Sequence, residues 1–470
     1  MTRTLTPAPA REQAQPEAGL DLGDLQALVR SSLRSLPDAR YALYHLPPGS
    51  SGRLLVRQLL TGVTTAADRD ATVATQLALS ATGLRALGLP EMIMDGFADE
   101  FLGGINAVGR SRFLGDTPSD WQWGRPDQDS IDLLVISFAA DPARLAAAAG
   151  DVDRVATECG ARLLHAMESH GNPEVEPFGF RDGISQPYVP ELATSSDDTD
   201  ARPVALGEFV LGYPNGYGRL TRRPVMPSAL DPQRLLPRQP AGINELDSPG
   251  GADLGRNGTY LVLRTLAQDV AAFETYLAET AARLAVDVEW LAAKLVGRWR
   301  SGAPLALSPD HDHPELATAN GFGYHHDDAR GLRCPIGAHI RRANPRDSLD
   351  PRPGTAASEA VTDLHRLLRR GRVFADGDHQ GLQFVALNAN LGRQFEFVQH
   401  SWLNDPKFAG LDADLDPLMA PRSPDGVFTI PGEPFRTRLC GLPQFVTTLG
   451  GGYFFLPGLR ALRFLAADPA

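Results

Sequence analysis

A short segment, residues 176–187, places an acidic side chain between glycines. Its central pattern is Gly179-x-x-Asp182-Gly183. Glycine lets the backbone approach another group closely or adopt a positive φ, so a carboxylate held in this way could face a ligand. The pattern alone is more typical of an Asx-turn in which Asp182 closes a loop. Both interpretations stay open at this point.

A second segment, residues 334–346, places His339 among small and apolar residues, with three arginines close behind it. A single histidine is more often a hydrogen-bonded core residue than a ligand. The arginines, however, indicate an anionic partner such as carboxylates or phosphates. The small residues before His339 would leave room for a flat ligand.

A third segment, residues 365–371, reads His-Arg-Leu-Leu-Arg-Arg-Gly. Taken alone, residues 358–370 followed by Gly371 predict a capped helix with basic residues in its last turn. On that interpretation the arginines form a solvated, charged face.

A cluster of histidines and aspartates offers a competing site. Two histidines with a carboxylate can bind zinc or iron(II), and such a site would suit a non-haem metallo-hydrolase. The spacing is poor, because the first two histidines lie in a proline-flanked loop and not four residues apart on a helix. The cluster comprises His311, His313, His325 and His326, with Asp310, Asp312, Asp327 and Asp328.

The overall composition is that of a globular protein. The chain has 470 residues, of which 43% are hydrophobic and 22% charged. The net charge of −12 argues against nucleic acid or an anionic membrane surface as a partner. Three widely spaced cysteines (Cys159, Cys334, Cys440) predict neither a disulfide framework nor a metal knuckle.

The chain shows no signal that points to export or to a membrane. The N-terminus lacks an apolar export signal. The uncharged stretch 439–459 is interrupted by prolines and glycines. It therefore predicts a strand, a turn and a strand and not a membrane helix. We expect a cytoplasmic protein.

Two blocks of strands and helices follow a predicted disordered tail, residues 1–19. The first block, 20–192, contains predicted strands at 41–46 and 131–138 and helices at 80–87 and 142–169. A Ser/Asp/Thr-rich linker, 193–203, precedes the second block, 205–470. That block contains a predicted strand at 259–265 and a helical region at 268–298. The pattern predicts two α+β domains of similar plan.

The three segments, in this order, resemble the dye-decolorizing peroxidases, a family of haem peroxidases. The matching elements are the GxxDG pattern, the stretch 334–346 and the stretch 367–371. Further stretches at 297–304, 394–399 and 451–457 also look like the family. The resemblance covers roughly residues 20–465 and is to the larger bacterial and fungal-like members. It implies two ferredoxin-like α+β domains with antiparallel sheets flanked by helices, and haem b in the C-terminal domain.

The resemblance also implies roles for residues that touch the haem or the peroxide. His339 would be the iron ligand. Asp182 would be the acid/base on the opposite side of the haem, and Arg369, or its neighbour Arg370, would be the arginine beside it. The family places this third element on a strand, against the helix predicted from the residues alone. The remaining implied contacts are Arg346 with a haem propionate, Leu382 and Phe384 in the apolar wall, and Asp416 with the His339 ring N–H.

The implied activity is the reduction of hydrogen peroxide with one-electron oxidation of an organic reducing substrate such as a dye or a phenol. The alternative is a haem-binding or iron-handling protein with little peroxidase turnover. A surface tryptophan or tyrosine could relay electrons to the haem, but core packing is favoured for each candidate: Trp402, Tyr324 and Tyr453. A homo-oligomer is compatible with the sequence.

Overall fold

The computed structural model describes residues 19–171, 174–193, 202–239, 250–377, 379–422 and 426–468. Residues 1–18 of the predicted tail 1–19 and residues 194–201 of the predicted linker 193–203 therefore lie outside the described residues. The boundary between the two predicted domains stays a prediction. Within the described ranges, no helix combines the length and the apolar character needed to span a membrane.

The described residues form thirteen strands. In chain order they are β1 Asp38–His45, β2 Val73–Leu79, β3 Leu133–Ala139, β4 Arg162–Ser169, β5 Val225–Met226, β6 Ala252–Asp253, β7 Thr259–Gln268, β8 Leu368–Arg369, β9 Arg372–Asp376, β10 His379–Asn388, β11 Val427–Ile430, β12 Thr437–Cys440 and β13 Val446–Leu456.

The helices pack on the sheet and connect its strands. In chain order they are α1 Ala27–Arg30, α2 Ser50–Leu60, α3 Ala81–Ala86, α4 Glu91–Met94, α5 Asp99–Gly103, α6 Val108–Leu114, α7 Pro142–Glu158, α8 Val270–Leu284, α9 Val288–Val296, α10 His325–Asp328, α11 His339–Ala343, α12 Ala356–Asp363 and α13 Leu459–Ala466. A π-helical stretch covers Gly392–Glu396 and Val398–Leu403.

Strands from both halves of the chain form one antiparallel sheet in the order β4-β1-β3-β2-β13-β7-β10-β8, with β9 also paired to β10. If β8 and β9, which both pair with β10, are counted as one edge strand, the sheet strands of each half follow the same order: β4-β1-β3-β2 and β13-β7-β10-β8 are both fourth, first, third, second. This repeated order is the ferredoxin-like arrangement, and it confirms the predicted fold class. The halves meet where β2 pairs with β13, at Leu79 and Phe455.

The sheet is covered on both faces, which explains why its central strands are apolar almost throughout. Alternate residues of a strand point to opposite faces. In β1, Tyr41 and Leu43 join one buried cluster, whereas Ala42 and Tyr44 join another. Strands buried on both faces lose the polar alternation of a half-exposed strand.

Two predicted helices are shorter than the sequence indicated. The helix predicted over 142–169 ends at Glu158, because Gly160 takes a φ of 78° and turns the chain into β4. The region 268–298 is divided between α8 and α9. Ala285 adopts a φ of 53° after α8, and Asp287 caps the next helix by accepting from the Trp290 N–H.

The helix predicted over residues 358–370 and the strand implied by the family resemblance are both present, but only the strand lies within the third segment, 365–371. The predicted helix is present as α12 but stops at Asp363. Leu368 and Arg369 then form β8, where Arg369 lies opposite Ala386 of β10. The family resemblance was therefore correct in placing this arginine on a strand, and the helix predicted through residue 370 was wrong.

The junction between the halves gives a stability prediction. Phe455 is fully buried, with its ring 5.1 Å from that of Phe97. Phe455→Ala should lower the free energy of unfolding by about 3–5 kcal/mol, as large buried aromatic truncations do. The same truncation at Phe435, which is 84% exposed, should change it by less than about 0.5 kcal/mol. Chemical denaturation measures both, and equal effects would contradict the assigned junction.

Candidate active site

Two adjoining cavities lie where the three segments meet. We call them the first and the second cavity. They share a wall that contains the three residues to which the resemblance gave the central roles. The shared lining residues are Asp182, Gly183, Leu266, His339, Ala343, Leu367, Arg369, Leu382 and Met419.

The loop that carries Asp182 needs both of its glycines. Gly179 has a φ of 87° and Gly183 a φ of 79°, which L side chains rarely adopt. A Cβ at Gly179 would also collide with the guanidinium of Arg300, and one at Gly183 with that of Arg34. The Asp182 Oδ1 atom accepts from the Gly183 N–H at 2.6 Å. Asp182 thus closes its own turn and lines both cavities.

Glu176 fixes the start of the same loop. Its carboxylate accepts from the backbone N–H groups of Phe178 and Phe180 and from the Gln268 amide at 2.5 Å. Burial raises the pKa of Glu176, although these hydrogen bonds oppose the shift. Glu176 is the first residue of the segment 176–187, and no role was predicted for it from the sequence.

His339 begins the short helix α11 and is oriented by a buried carboxylate. Its Nδ1 atom donates to Asp416 Oδ2 at 2.9 Å, which leaves Nε2 for the cavities that the ring lines. Asp416 Oδ1 accepts from the backbone N–H groups of Leu418 and Met419. Burial alone would raise the pKa of Asp416, but the His339 contact and these hydrogen bonds outweigh it and hold the pKa below its usual value. The pair is arranged as a metal-ligating histidine and its carboxylate partner are.

Arg369, the last residue of β8, and its neighbour Arg370 point to different places. Arg369 lines both cavities and its Nη2 atom donates to the Ile184 carbonyl at 2.6 Å, beside the Asp182 loop. Arg370 reaches back to the first half of the chain, where it donates to the carbonyls of Leu28 and Val29. Arg369 is therefore better placed than Arg370 to act beside Asp182.

Three further arginines line the first cavity, and few carboxylates pair with them. Arg298, Arg346 and Arg366 line it, and among the described residues only Arg366 has an acidic partner, Asp363 at 3.9 Å. Burial, aided by the neighbouring arginine charges, lowers the pKa of Arg298 and of Arg366 to about 10. Of these three arginines only Arg346 was predicted from the sequence, although Arg298 lies in the stretch 297–304 and Arg366 in the stretch 365–371.

These features fit haem. The Nη2 atom of Arg298, the Oδ1 atom of Asn344 and the Oε1 atom of Gln268 are buried without a hydrogen-bond partner in the described part of the chain. The excess positive charge of the first cavity suits the two propionates of haem, and the His339 ring suits its iron. Apolar side chains complete the shared wall: Leu266, Leu382 and Met419, with Phe384 farther along β10 in the second cavity.

The aromatic residues considered as electron relays are all buried. Trp402, Tyr324 and Tyr453 are each no more than 5% exposed. Trp402 packs against the rings of His365 and Phe397. Their burial agrees with the core packing favoured from the sequence, and Tyr324 also lines the first cavity; the role of each stays a prediction.

The histidine cluster does not assemble a metal site. His313 contacts Glu315, His326 Nε2 lies 3.1 Å from the Gly354 carbonyl, and Asp328 pairs with Arg341. No group of three metal-binding side chains converges among the residues of the described ranges. The metallo-hydrolase interpretation therefore loses its proposed ligands.

Replacing His311 and His313 together by alanine should leave the metal content of the purified protein unchanged, because neither side chain joins a third ligand. Elemental analysis after growth with added zinc would measure this. An exposed histidine elsewhere, His170, provides the matched control variant. Loss of one metal equivalent in the double variant alone would restore the metal-site interpretation.

Comparisons with known proteins agree with this geometry. No protein-family model matches the chain. A multifunctional dye peroxidase of Amycolatopsis sp. is 32% identical over 74% of this chain and 74% of its own length. Peroxidase 2 of Mycetinis scorodonius is 27% identical over 97% of this chain and 90% of its own length.

Solved structures show the same fold. A DyP-type peroxidase of Anabaena sp. superimposes with a TM-score of 0.76 at 23% identity, covering 94% of each chain. A dye-decolorizing peroxidase in complex with 2,6-dimethoxyphenol gives a TM-score of 0.76 at 22% identity, covering 95% of this chain and all of the other. With a relative above 30% identity over three quarters of both chains, the chain belongs to the dye-decolorizing peroxidase family.

Proposed function

We propose that the protein is a haem peroxidase that reduces hydrogen peroxide and oxidises dyes, phenols or similar organic substrates by one-electron steps. The observation that carries the proposal is the His339–Asp416 pair, whose imidazole shares a cavity wall with Asp182 and Arg369. Family membership supports the same activity.

We assign the cofactor site to the two cavities. His339 Nε2 would hold the iron, and Arg346, Arg298 and Arg366 would pair with the propionates. When bound, haem supplies an iron centre that cycles between redox states, which none of the side chains can do. None of the three cysteines lines either cavity. That placement favours haem b, which is held without thioether bonds.

The chain's own residues divide the peroxide chemistry between proton transfer and charge stabilisation. The Asp182 carboxylate would take the proton from one peroxide oxygen and return it to the other as the O–O bond breaks. Arg369, always charged, would stabilise the negative charge that develops on the departing oxygen. Asp416, as acceptor for the His339 N–H, would keep the ring oriented and electron-rich.

The proposed organic substrates are dyes and phenols. A fold relative has been solved with a phenol bound. All three relay candidates are buried, so bulky dyes would need either direct access through a cavity or a longer electron path. The proposed location is the cytoplasm, which is supported by three free cysteines. A homo-oligomer and the absence of nucleic-acid partners stay predictions.

The assignment of the iron ligand is tested by His339→Ala. We expect this variant to lose haem or to shift its Soret band, because no other imidazole lines the two cavities. Absorption spectra of the reconstituted protein measure this. His365→Ala is the control, since that ring hydrogen-bonds the Arg393 carbonyl and lies outside both cavities. A normal spectrum in His339→Ala would move the ligand elsewhere.

The division of roles is tested by Asp182→Asn and Arg369→Leu. Both variants should bind haem. Loss of the acid/base should slow the peroxide reaction by about 10²–10⁴-fold, and loss of the charge by about 10²–10³-fold. We expect Arg369→Leu to be slowed at least as much as Asp182→Asn, because a water molecule can partly replace a carboxylate as proton carrier.

Stopped-flow mixing with peroxide, followed in the Soret band, measures both rates. Arg125→Leu, which removes an arginine whose side chain is 37% exposed and far along the chain from the site, is the charge control. A normal rate in Arg369→Leu would refute the electrostatic role. The alternative of a haem-handling protein is tested by steady-state turnover, since a high turnover number with a dye contradicts it.

A further inference from the structure

Arg264 of β7 is a buried arginine in the wall of the second cavity. Its guanidinium carbon lies 5.8 Å from the centre of the Phe395 ring, which lines the same cavity. The Nη1 atom donates to Gln399 Oε1 at 3.4 Å, and the Nη2 atom donates to the Thr448 hydroxyl at 2.7 Å. Because a guanidinium is always charged, a fixed positive charge stands beside the space that we assign to the haem.

A carboxylate from another part of the chain neutralises this charge. Asp116, in the loop after α6, is also buried and forms an ion pair with the Arg264 guanidinium. Its backbone N–H donates to the Ser111 carbonyl at 2.8 Å, and the Thr448 hydroxyl lies 3.3 Å from its Oδ1 atom. Burial raises the pKa of Asp116, and the charge of Arg264 opposes that shift. Asp116 itself lines neither cavity.

This pairing sets Arg264 apart from arginines that we assign to the haem propionates. Arg298 and Arg346 donate to backbone carbonyls, and neither has an acidic partner in the described ranges. Their charge is therefore left for the propionates. Arg264, in contrast, has a buried carboxylate of its own. The ion pair keeps this part of the cavity wall electrically neutral.

A charge beside a haem affects how readily its iron takes up an electron. A positive charge favours the reduced form, because reduction adds one negative charge, and the effect is strengthened by a low dielectric. We propose that Asp116 is a positioning residue which, by neutralising Arg264, holds the reduction potential of the haem low. A low potential keeps the iron ferric, the form with which peroxide reacts. The inference rests on the proposed peroxidase function.

The test measures the ferric–ferrous reduction potential of the haem-loaded protein at neutral pH. Dithionite, with redox mediators, supplies the one electron that each iron takes up, and the absorption spectrum reports the ratio of ferrous to ferric haem. We expect Asp116→Asn to raise this ratio about tenfold at a fixed ambient potential, which is about 59 mV for one electron. The reason is that the charge of Arg264 is then no longer neutralised.

Two further changes at the same position separate charge from shape. Asp116→Ala is a second neutral variant, which leaves room for water, and it should shift the potential in the same direction. Asp116→Glu keeps the charge and should retain most of the wild-type potential.

A double variant, Asp116→Asn with Arg264→Gln, shows whether Asp116 acts through Arg264. It removes both charges of the pair, so the potential should return to near the wild-type value. If Asp116 were only a structural residue, the second substitution would add to the disturbance of the same buried network and would not reverse it.

Asp253→Asn is the matched control. Asp253 is fully buried, pairs with Arg223 at 2.7 Å and lines neither cavity. This variant makes the same change of charge inside a buried ion pair, but it should leave the potential unchanged. Both Asp116→Asn and Asp253→Asn break a buried pair and should lose stability, so the potential is the quantity that separates them.

An unchanged potential in the neutral Asp116 variants would overturn the inference. So would an equal shift in Asp253→Asn, or a shift that persists in the double variant. A wild type that binds no haem, or that does not react with hydrogen peroxide, would refute the proposed function instead.

Discussion

Buried arginines with few carboxylate partners among the described residues determine how the loops around the two cavities are arranged. A buried guanidinium is costly unless it is paired or fully hydrogen-bonded. Here the partners are mostly backbone carbonyls: Arg346 donates to those of Asn320 and Phe322, and Arg298 to those of Gly302 and Ala319. The loops that supply these carbonyls must therefore follow one path. Folding of the long loops therefore also places these arginine charges.

The His339 side and the Asp182 side of the site are held in place by different interactions. On the His339 side, the carboxylate of Asp416 is saturated by two backbone N–H groups and the imidazole. That leaves the ring little freedom before any ligand binds. On the Asp182 side, the only side-chain hydrogen bond of Asp182 within the described residues is the one from the Gly183 N–H, and the path of its loop depends on the positive φ of Gly179 and Gly183. The first side is held by a hydrogen-bond network, and the second by the conformation of its loop.

The sequence predicted the elements with strong local signals and missed those set by distant contacts. The alternation and β-branched content of β7 and the Asp-Pro start of α7 were sufficient to place both. The residues of β4 were predicted as the end of a helix because their apolar residues continue the helical spacing. In the sequence, only Gly160 indicates where that helix ends. The cavity roles of Arg298 and Arg366 could not be predicted, because they depend on which carbonyls the folded loops present.

The placement of β13 has a consequence for how the chain is made. On the ribosome, the strands β1 to β4 emerge first and can pair with one another, which leaves β2 as an open edge. Such edges invite pairing with other chains. The partner of β2 is β13, which begins at residue 446 of 470. Val446 also lines the first cavity. The nascent protein therefore carries an uncovered edge and an unfinished pocket until β13 has been made, and this one strand completes both.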